Sequence, residues 1–579
     1  WEDLYSPNHG SPPRLFRNVG GRFEDATHRL AGSERGDAHG AAWADFDNDG
    51  DQDLLLLVGA QRGEGRGENR LYVNRAGRLD PAPGALGLAD PLGRGRTPLW
   101  LDWNLDGRLD ALLNNAPRPG VPSRLLLGGE TGFAPVGREP WEPFSSQLAG
   151  PLVVGEAAAL LVAGGDGQLF ALATPDGTGA AGARFRPLPT ASDWAHEDFD
   201  GDGLGDLLVL RGSGGPGLRV DGGYRVTANL PVVGEERGIS FASDGPVRFV
   251  LEPASPRWWQ PRDVRIGSTG VHPPGMDFTL TTDRVEGLPA GPGDGEKWIA
   301  LGRTPETGRW TLRVGARERE VLNVVVESAS PIDDVRALGF DPERGGGGRA
   351  QLFRGARLRV DETPVGPPPA ELDGIDVCGS LAAADLDNDG DVDLYFACGE
   401  SGAARPNRLL LNDGGGAFED VPGAGGATGS EAGTPEGLVV IDVDLDGRLD
   451  LVVGNGAGLR PFNAGPLEVF RNRGPRAETA SPRRPGADWL QIALHGRTGT
   501  ADGLGARLEL STDRGRQIRL RGGEIHAGGQ NRPIVHFGLG DAAPRSLEVR
   551  WPDGGRQRLV DPPANRTLHV IESGTGPAN

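Results

Sequence analysis

Apolar residues in this chain fall into short runs closed by glycine or aspartate, such as Leu54-Leu-Leu-Leu-Val58 and Leu451-Val-Val453. Runs this short between turn residues are the pattern of buried β-strands, since a helix needs a longer stretch with its own period. Further along, Trp489-Leu-Gln-Ile-Ala-Leu494, Ala506-Arg-Leu-Glu-Leu510, Gln517-Ile-Arg-Leu520, Ile534-Val-His-Phe537, Leu547-Glu-Val-Arg-Trp551 and Leu568-His-Val-Ile571 alternate apolar with polar residues. Alternation on that scale predicts strands with one buried face, and so a β-sandwich. The 95 glycines and 48 prolines among 579 residues agree with an all-β, turn-rich chain of several domains.

Five of the turns between apolar runs share one pattern. They begin at Asp45, Asp102, Asp198, Asp385 and Asp442, and each reads Asp-x-Asp/Asn-x-Asp-Gly-x-x-Asp. Oxygen-bearing side chains therefore stand at positions 1, 3, 5 and 9: Asp45, Asp47, Asp49 and Asp53; Asp102, Asn104, Asp106 and Asp110; Asp198, Asp200, Asp202 and Asp206; Asp385, Asp387, Asp389 and Asp393; Asp442, Asp444, Asp446 and Asp450. So many carboxylates on one short turn repel unless a hard, oxygen-seeking cation lies between them, and Ca²⁺ meets that need. The backbone carbonyl of position 7, at Asp51, Arg108, Leu204, Asp391 and Arg448, is the expected further ligand. An EF-hand begins the same way but closes with glutamate at position 12 between helices. Here position 12 is Leu56, Leu113, Val209, Phe396 and Val453, each inside a strand-like run, so the aspartate at position 9 must close the site.

Charge follows from these loops. The formal net charge is −21, and about five calcium ions would leave −11. A chain still acidic after metal loading lacks the basic surface that nucleic acid requires. No apolar run reaches the ~18 residues of a transmembrane helix. The sequence begins at Trp1 rather than Met, so a leader or anchor ahead of it cannot be read. Modest-affinity calcium sites fill outside the cytoplasm, which places the protein in a secreted, cell-surface or periplasmic setting.

The loops recur at a spacing of 57 residues from Asp45 to Asp102 and again from Asp385 to Asp442. A period near 40–60 residues with several short strands is that of a propeller blade. Val153–Ala163 has the strand-turn-strand pattern without aspartates and Gly238–Leu251 keeps only a worn turn, and counting them gives seven blades. Arg14–Asn18 and Gly21–Asp25 resemble the second half of a unit, so the N-terminus is expected to complete the last blade and close the ring. Residues 254–345 break the period and are read as a small inserted β domain. The expected division is thus a seven-bladed propeller over 1–253 and 346–475, the insertion, a Pro/Arg-rich linker, and a sandwich over 486–574. Cys378 and Cys398 flank the fourth loop with a nearly constant residue sum, which opposes them across a hairpin and predicts a disulfide.

On these residues the chain resembles known families. The five loops are similar to the FG-GAP/VCBS repeats of integrin-α-type propellers. The phrases Gly503-Leu-Gly-Ala-Arg507, His536-Phe-Gly-Leu-Gly540 and Val549-Arg-Trp-Pro-Asp-Gly554 resemble the ASPIC/UnbV domain. The combination is similar to the cartilage acidic protein family and its bacterial relatives. The resemblance implies a secreted or surface protein with a calcium-bearing propeller and an interaction role; the two loopless candidate blades depart from the pattern, so no metal is carried over to them.

Catalytic patterns are absent from the sequence: there is no His-Glu-x-x-His, no Gly-x-Ser-x-Gly and no Gly-Lys-Ser/Thr phosphate loop. Gly63–Gly67 and Gly345–Gly348 read as linkers. His39 and His196, just ahead of loops, read as ordinary polar residues. Trp258, Trp259, Trp298 and Trp310 read first as core and second as a sugar-stacking surface. The leading expectation is an extracellular interaction, adhesion or assembly protein whose partner is a protein or a surface polysaccharide, with self-association as one form. A lectin-like carbohydrate binder and a polysaccharide-active enzyme are the alternatives.

Overall fold

The computed structural model describes residues 2–573 except 9–11, 33–36, 60–64, 117, 119, 137–145, 155–156, 165–168, 174–190, 212–216, 233–235, 254–258, 290–296, 317–319, 341–348, 356–369, 373–374, 376–377, 401–402, 405, 431–434, 436, 457–464, 475–486, 523–524, 527–528 and 532. Among these residues the protein is all-β, with a few 3₁₀ turns and no α-helix. Among the described residues no helix is long and apolar enough to cross a membrane.

Seven small antiparallel sheets follow the repeat period. Sheet one is Leu4–Ser6, Arg14–Asn18 and Phe23–Asp25; sheet two is Ala38–Ala44, Asp53–Val58, Arg70–Arg75 and Arg78–Pro81; sheet three is Gly95–Leu101, Asp110–Asn115, Arg124–Gly129 and Gly132–Pro135. Sheet four, Ser146–Val154, Ala157–Gly164 and Leu169–Ala173, has no aspartate loop. Sheet five is Asp193–Glu197, Asp206–Arg211, Arg349–Phe353 and Ala370–Leu372; sheet six runs from Cys378–Ala384 and Asp393–Glu400 to Arg408–Asn412 and Phe418–Asp420; sheet seven is Gly437–Ile441, Asp450–Gly454 and Leu467–Phe470. In the five sheets that carry one, the aspartate loop joins the first strand to the second.

Neighbouring sheets share apolar clusters: Tyr5 and Leu15 with Leu54 and Tyr72, Ala42 and Leu55 with Trp100 and Leu113, Leu99 and Leu112 with Leu160 and Val162, Leu208 and Leu352 with Leu394, and Tyr395 with Val440 and Val453. Between sheets four and five, Gly150 lies against the Trp194 indole. Ile441, Val443 and Val452 of sheet seven pack with Leu4 and Phe23 of sheet one. The first and last units therefore meet, as expected, but not by strand exchange. Leu4–Asp25 pair only among themselves among the described residues, so the contact between the ends of the chain is sheet against sheet.

The insertion is larger than the sequence pattern suggested. The chain leaves sheet five after Arg211 and returns at Arg349, directly opposite it in register. In between stand two five-stranded sheets. One orders Gly217–Asp221, Arg225–Val232, Glu320–Ser328, Val247–Pro253 and Asp277–Leu280; the other orders Val264–Ile266, Lys297–Thr304, Arg309–Ala316, Arg237–Ala242 and Asp333–Leu338. They enclose their own core of Val226, Ile239, Phe241, Phe249, Trp259, Trp310, Leu312 and Val324. Gly238–Leu251, expected as a blade, forms none: Ile239 pairs with Leu312 in one sheet while Val250 pairs with Val325 in the other. Its local alternation suits either setting, and only the distant partner strands decide.

At the C-terminal end, the sheet of Val535–Gly540, Asp488–His495 and Arg566–Ile571 faces the sheet of Arg516–Leu520, Arg507–Thr512, Pro544–Arg550 and Arg556–Val560. Leu490, Ile492, Leu508, Leu510, Phe537, Leu547 and Val549 fill the space between them. A two-stranded hairpin, Ile525–His526 with Gly529–Gln530, projects from this unit.

Candidate metal sites

All five loops close by the same bonds. The position-1 carboxylate caps the turn, accepting the N–H of the position-6 glycine at 2.9 to 3.0 Å from Gly50, Gly107, Gly203, Gly390 and Gly447. Those glycines have φ from 83° to 105°, a region costly for any side chain. Position 4 is also left-handed, at Asn48, Leu105, Gly201, Asn388 and Leu445. The position-9 aspartates Asp53, Asp110, Asp206, Asp393 and Asp450 are buried. One oxygen of each accepts the N–H of position 2, and the other the N–H of a residue in or just past the third strand: Asn74, Gly128, Gly355, Asn412 or Asn472. Position 9 thus ties the loop to two strands.

In four loops the oxygens of positions 1, 3 and 9 converge: Asp45, Asp47 and Asp53; Asp198, Asp200 and Asp206; Asp385, Asp387 and Asp393; Asp442, Asp444 and Asp450 each offer oxygens within 4.8 Å of one another. In loop two Asn104 replaces the middle carboxylate, and its Oδ1 accepts the Asp106 N–H at 3.2 Å. Position 5 also bonds within its own loop through one oxygen. Asp49, Asp106, Asp202, Asp389 and Asp446 each accept the position-7 N–H through Oδ1, at 2.8 to 3.1 Å. Two middle carboxylates also pair with arginines, Asp200 with Arg354 at 2.6 Å and Asp444 with Arg471 at 3.0 Å.

The electrostatics of these clusters call for a cation. Burial first, then neighbouring carboxylates, pushes Asp53, Asp206 and Asp385 up to about 7 and Asp45 up to about 6. Burial likewise pushes Asp110 and Asp450 up to about 6, despite the N–H groups each accepts. Asp385 Oδ1 and Asp198 Oδ1 are buried without a hydrogen-bond donor among the described residues, while the second oxygen of each is bonded. An orphaned carboxylate oxygen facing two other carboxylates suits a hard cation of the calcium class.

Against known families, the FG-GAP-like repeat matches residues 1–56 and 385–453, and the ASPIC and UnbV family matches residues 496–577. The chain carries FG-GAP-like repeats and an ASPIC and UnbV domain. It is similar to cartilage acidic protein 1 of Mus musculus, 33% identical over 179 residues, and of Homo sapiens, 33% identical over 180 residues. Each match covers 30% of this chain and spans only 25% of the relative's length. Among solved structures, the V. cholerae biofilm matrix protein Bap1 aligns over 82% of this chain and 84% of its own at 11% identity, with a TM-score of 0.34. Loops two and three lie outside the FG-GAP match, yet they close by the same bonds as the others.

The ASPIC and UnbV domain sits on the loops themselves. Gly538 N–H donates to Asp385 Oδ2 at 2.9 Å, Gly540 N–H to the Asn388 carbonyl at 2.6 Å, and Gln491 Nε2 to Asp442 Oδ2 at 3.0 Å. At loop one, Asp502 accepts from the Asp45 N–H at 3.2 Å and from Gln52 at 2.8 Å. The loop glycines make room as well: Gly447 lies under the Trp489 ring, Gly107 against the Thr498 carbonyl and Gly203 against Arg516. The Ile525–Gln530 hairpin reaches the first strands of sheets two, five, six and seven. Gln530 bonds both the N–H and the carbonyl of Trp43, and Asn531 accepts from Val440 N–H at 2.7 Å. A cavity of about 90 Å³ remains beside Asp385, lined by Glu197, Gln491, Arg519 and His536.

The other residues singled out by sequence have structural places. Cys378 and Cys398 are bonded as a disulfide and directly paired in register; the bulge at Gly379 accounts for their residue sum differing from that of the strand below. His39 lies 3.2 Å from Asp37, and His196 lies against Gly205 of loop three. Trp259 and Trp310 are core, Trp298 packs on Gly315, and Trp258 and Gly345–Gly348 are outside the described residues, as are residues 63 and 64 of Gly63–Gly67. Three asparagines that were not singled out from the sequence have a place as well. Asn412, Asn472 and Asn18 donate Nδ2 to the position-2 carbonyls of the preceding units, Phe199, Leu386 and Val443. Their signal is an asparagine closing each outer apolar run, as in Leu15-Phe-Arg-Asn18, Leu409-Leu-Leu-Asn412 and Val469-Phe-Arg-Asn472.

Proposed function

We propose that this protein is an extracytoplasmic, calcium-stabilised interaction module in which the seven sheets are the blades of a propeller, the inserted unit spans about residues 217–340 and the ASPIC and UnbV domain is a β-sandwich. The observation that carries the reading is one loop repeated five times, with the carboxylates of positions 1, 3 and 9 converging within 4.8 Å in four of the copies and with Asp198 Oδ1 and Asp385 Oδ1 buried without a hydrogen-bond donor among the described residues. The side chains of positions 1, 3, 5 and 9 and the carbonyls of Asp51, Arg108, Leu204, Asp391 and Arg448 would hold about five ions. Calcium supplies positive charge and a rigid oxygen shell; the chain supplies the turn that brings the oxygens together. An extracytoplasmic setting is supported by the disulfide and by the calcium levels that such loops need. The name cartilage acidic protein of the relatives agrees with it.

Binding fits better than catalysis. The acids gathered in clusters are taken up by the loops, and calcium with a nearly full oxygen shell is a weak Lewis acid beside an open zinc site. Trp259 and Trp310 are buried, so they offer no stacking face to a sugar. The partner class is a protein or a surface polymer, recognised on rigid sheet surfaces. The test is metal analysis of the full chain after gel filtration, with melting followed in calcium and in excess chelator. About five calcium ions per chain, one fewer in Asp389→Ala, and melting lowered by many degrees on chelation are expected. A chain that retains no calcium and melts identically in chelator would sink the reading.

A further inference from the structure

The metal loops and the C-terminal domain share atoms. Asp385 uses one oxygen for two N–H donors, its own loop's Gly390 and the C-terminal domain's Gly538, both at 2.9 Å, which leaves Oδ1 aimed into the carboxylate cluster. Asp442 likewise takes two donors on Oδ2, Gly447 N–H and Gln491 Nε2 both at 3.0 Å, while its Oδ1 accepts the Asp446 N–H at 3.1 Å. Loop one is held from the other side, by Asp502 on the Asp45 N–H and by Asn48 Oδ1 accepting the Ala501 N–H at 3.1 Å. The contact at loop four is tight: a Cβ on Gly538 would stand 2.0 Å from Asp385 Oδ2 and 2.5 Å from Asn388 Cα. Asp385 and Gln491 are both almost fully buried, so neither bond is replaced by water when it breaks.

We propose that Gly538 and Gln491 are positioning groups of metal sites four and five, and that docking of the C-terminal domain and metal binding form a single linked equilibrium. A donor that holds Oδ2 fixes the rotation of the carboxylate and so presents Oδ1 to the ion. A bound ion in turn holds the loop in the shape that Gly538, Gly540 and Trp489 fit. Linkage makes the effect reciprocal: whatever factor docking contributes to metal affinity, metal contributes to docking. Loss of calcium would then loosen the domain that covers the loop face and withdraw its hairpin from the inner strands. This rests on the calcium reading above.

The test uses the full chain and calcium alone as ligand. Calcium is titrated calorimetrically into the unmodified protein, Gln491→Ala and Gly538→Ala, and backbone hydrogen exchange is followed with and without chelator. Each variant is expected to weaken the calcium site it touches by about tenfold and, through docking, the other of sites four and five by less. Chelation should raise exchange at Gly538 and Gly540 by at least about tenfold, ahead of the strands of sheet six. Gln491→Ala removes one side-chain bond without a steric wedge, so it carries the test should Gly538→Ala fail to fold. Unmodified calcium affinities in Gln491→Ala, or exchange at Gly538 and Gly540 that does not respond to chelator before sheet six does, would overturn the coupling and leave the calcium reading standing. No calcium bound by the unmodified chain would overturn both.

Discussion

Asp393→Asn separates the two tasks of a position-9 aspartate. In the native protein one oxygen accepts the Leu386 N–H at 2.8 Å and the other the Asn412 N–H at 2.9 Å, in a site with no solvent exposure. Asparagine keeps one acceptor and turns an NH₂ toward the other donor, leaving a buried N–H unpaired at a cost of about 1–3 kcal/mol. With calcium present, weakening one site that had been filled at a hundred times its dissociation constant removes up to about 2.7 kcal/mol more. The sum, about 4–6 kcal/mol, corresponds to roughly 5–10 °C in a domain of this size. In chelator the balance changes. Asp385, Asp387 and Asp393 then crowd within 4.8 Å with no cation, and removing one charge relieves repulsion that offsets the lost bond. Scanning calorimetry of both proteins in calcium and in chelator reads the difference. The substitution should be markedly destabilising in calcium and near neutral without it; an equal loss in both conditions would mean that Asp393 is only a strut between strands.

Three further outcomes follow from the packing. Trp310→Ala should cost about 3–5 kcal/mol in the inserted unit, where the indole is fully buried against Phe249 with Nε1 on the Ser243 carbonyl, and should leave the calcium count unchanged; metal analysis beside denaturant unfolding checks both. Burial alone pushes the Glu572 carboxyl up, but the N–H groups of Arg497 and Thr498 and the Thr498 hydroxyl outweigh it and hold it below its ordinary value. That stabilisation is present above the unfolded pKa of about 4.3 and is lost as pH falls through the depressed folded value, so the deficit of Glu572→Gln should be about 1–3 kcal/mol near neutrality and should shrink in melts run below about pH 4. Replacing residues 212–348 by a short turn should preserve every calcium site, since Arg211 and Arg349 are already paired; loss of an ion on mass spectrometry would show that the insertion supports loop three.

The loops were legible because their demands are local. Aspartate at 1, 3 and 9 and glycine at 6 are required by bonds inside nine residues, so the sequence carries all the information. The disulfide was legible for the same reason: a hairpin fixes its partner by counting, and the one-residue bulge at Gly379 disturbs the count without breaking the pairing. Position 5 was harder. Asp389 looks like a ligand by type, and only the backbone shows its Oδ1 engaged by the Asp391 N–H. The N-terminal strands and Gly238–Leu251 were misplaced because period-two alternation reports one buried face and is silent about which strand lies alongside. The docking of the C-terminal domain left no periodic trace at all. Gly538 and Gln491 matter through residues more than a hundred positions and about fifty positions away, respectively, in Asp385 and Asp442.

Where the insertion enters explains why it could be large. The chain departs after the second strand of sheet five, at the end away from loop three, and Leu207 to Arg211 pair with Phe353 to Arg349 as if nothing lay between. Closing a long loop costs only slowly more with its length, so the size of the inserted unit weighs little once its own core forms. That core is complete in itself: its buried side chains come from residues 226 to 332 and from no other part of the chain. Loop three nevertheless depends on the return strand, because Asp206 Oδ1 takes the Gly355 N–H. The position-9 bond of loop three therefore depends on the strand that returns after the inserted unit, whereas the corresponding bonds of Asp53, Asp110, Asp393 and Asp450 are made within 22 residues. At that one loop the bond that fixes position 9 is set by topology rather than by local sequence.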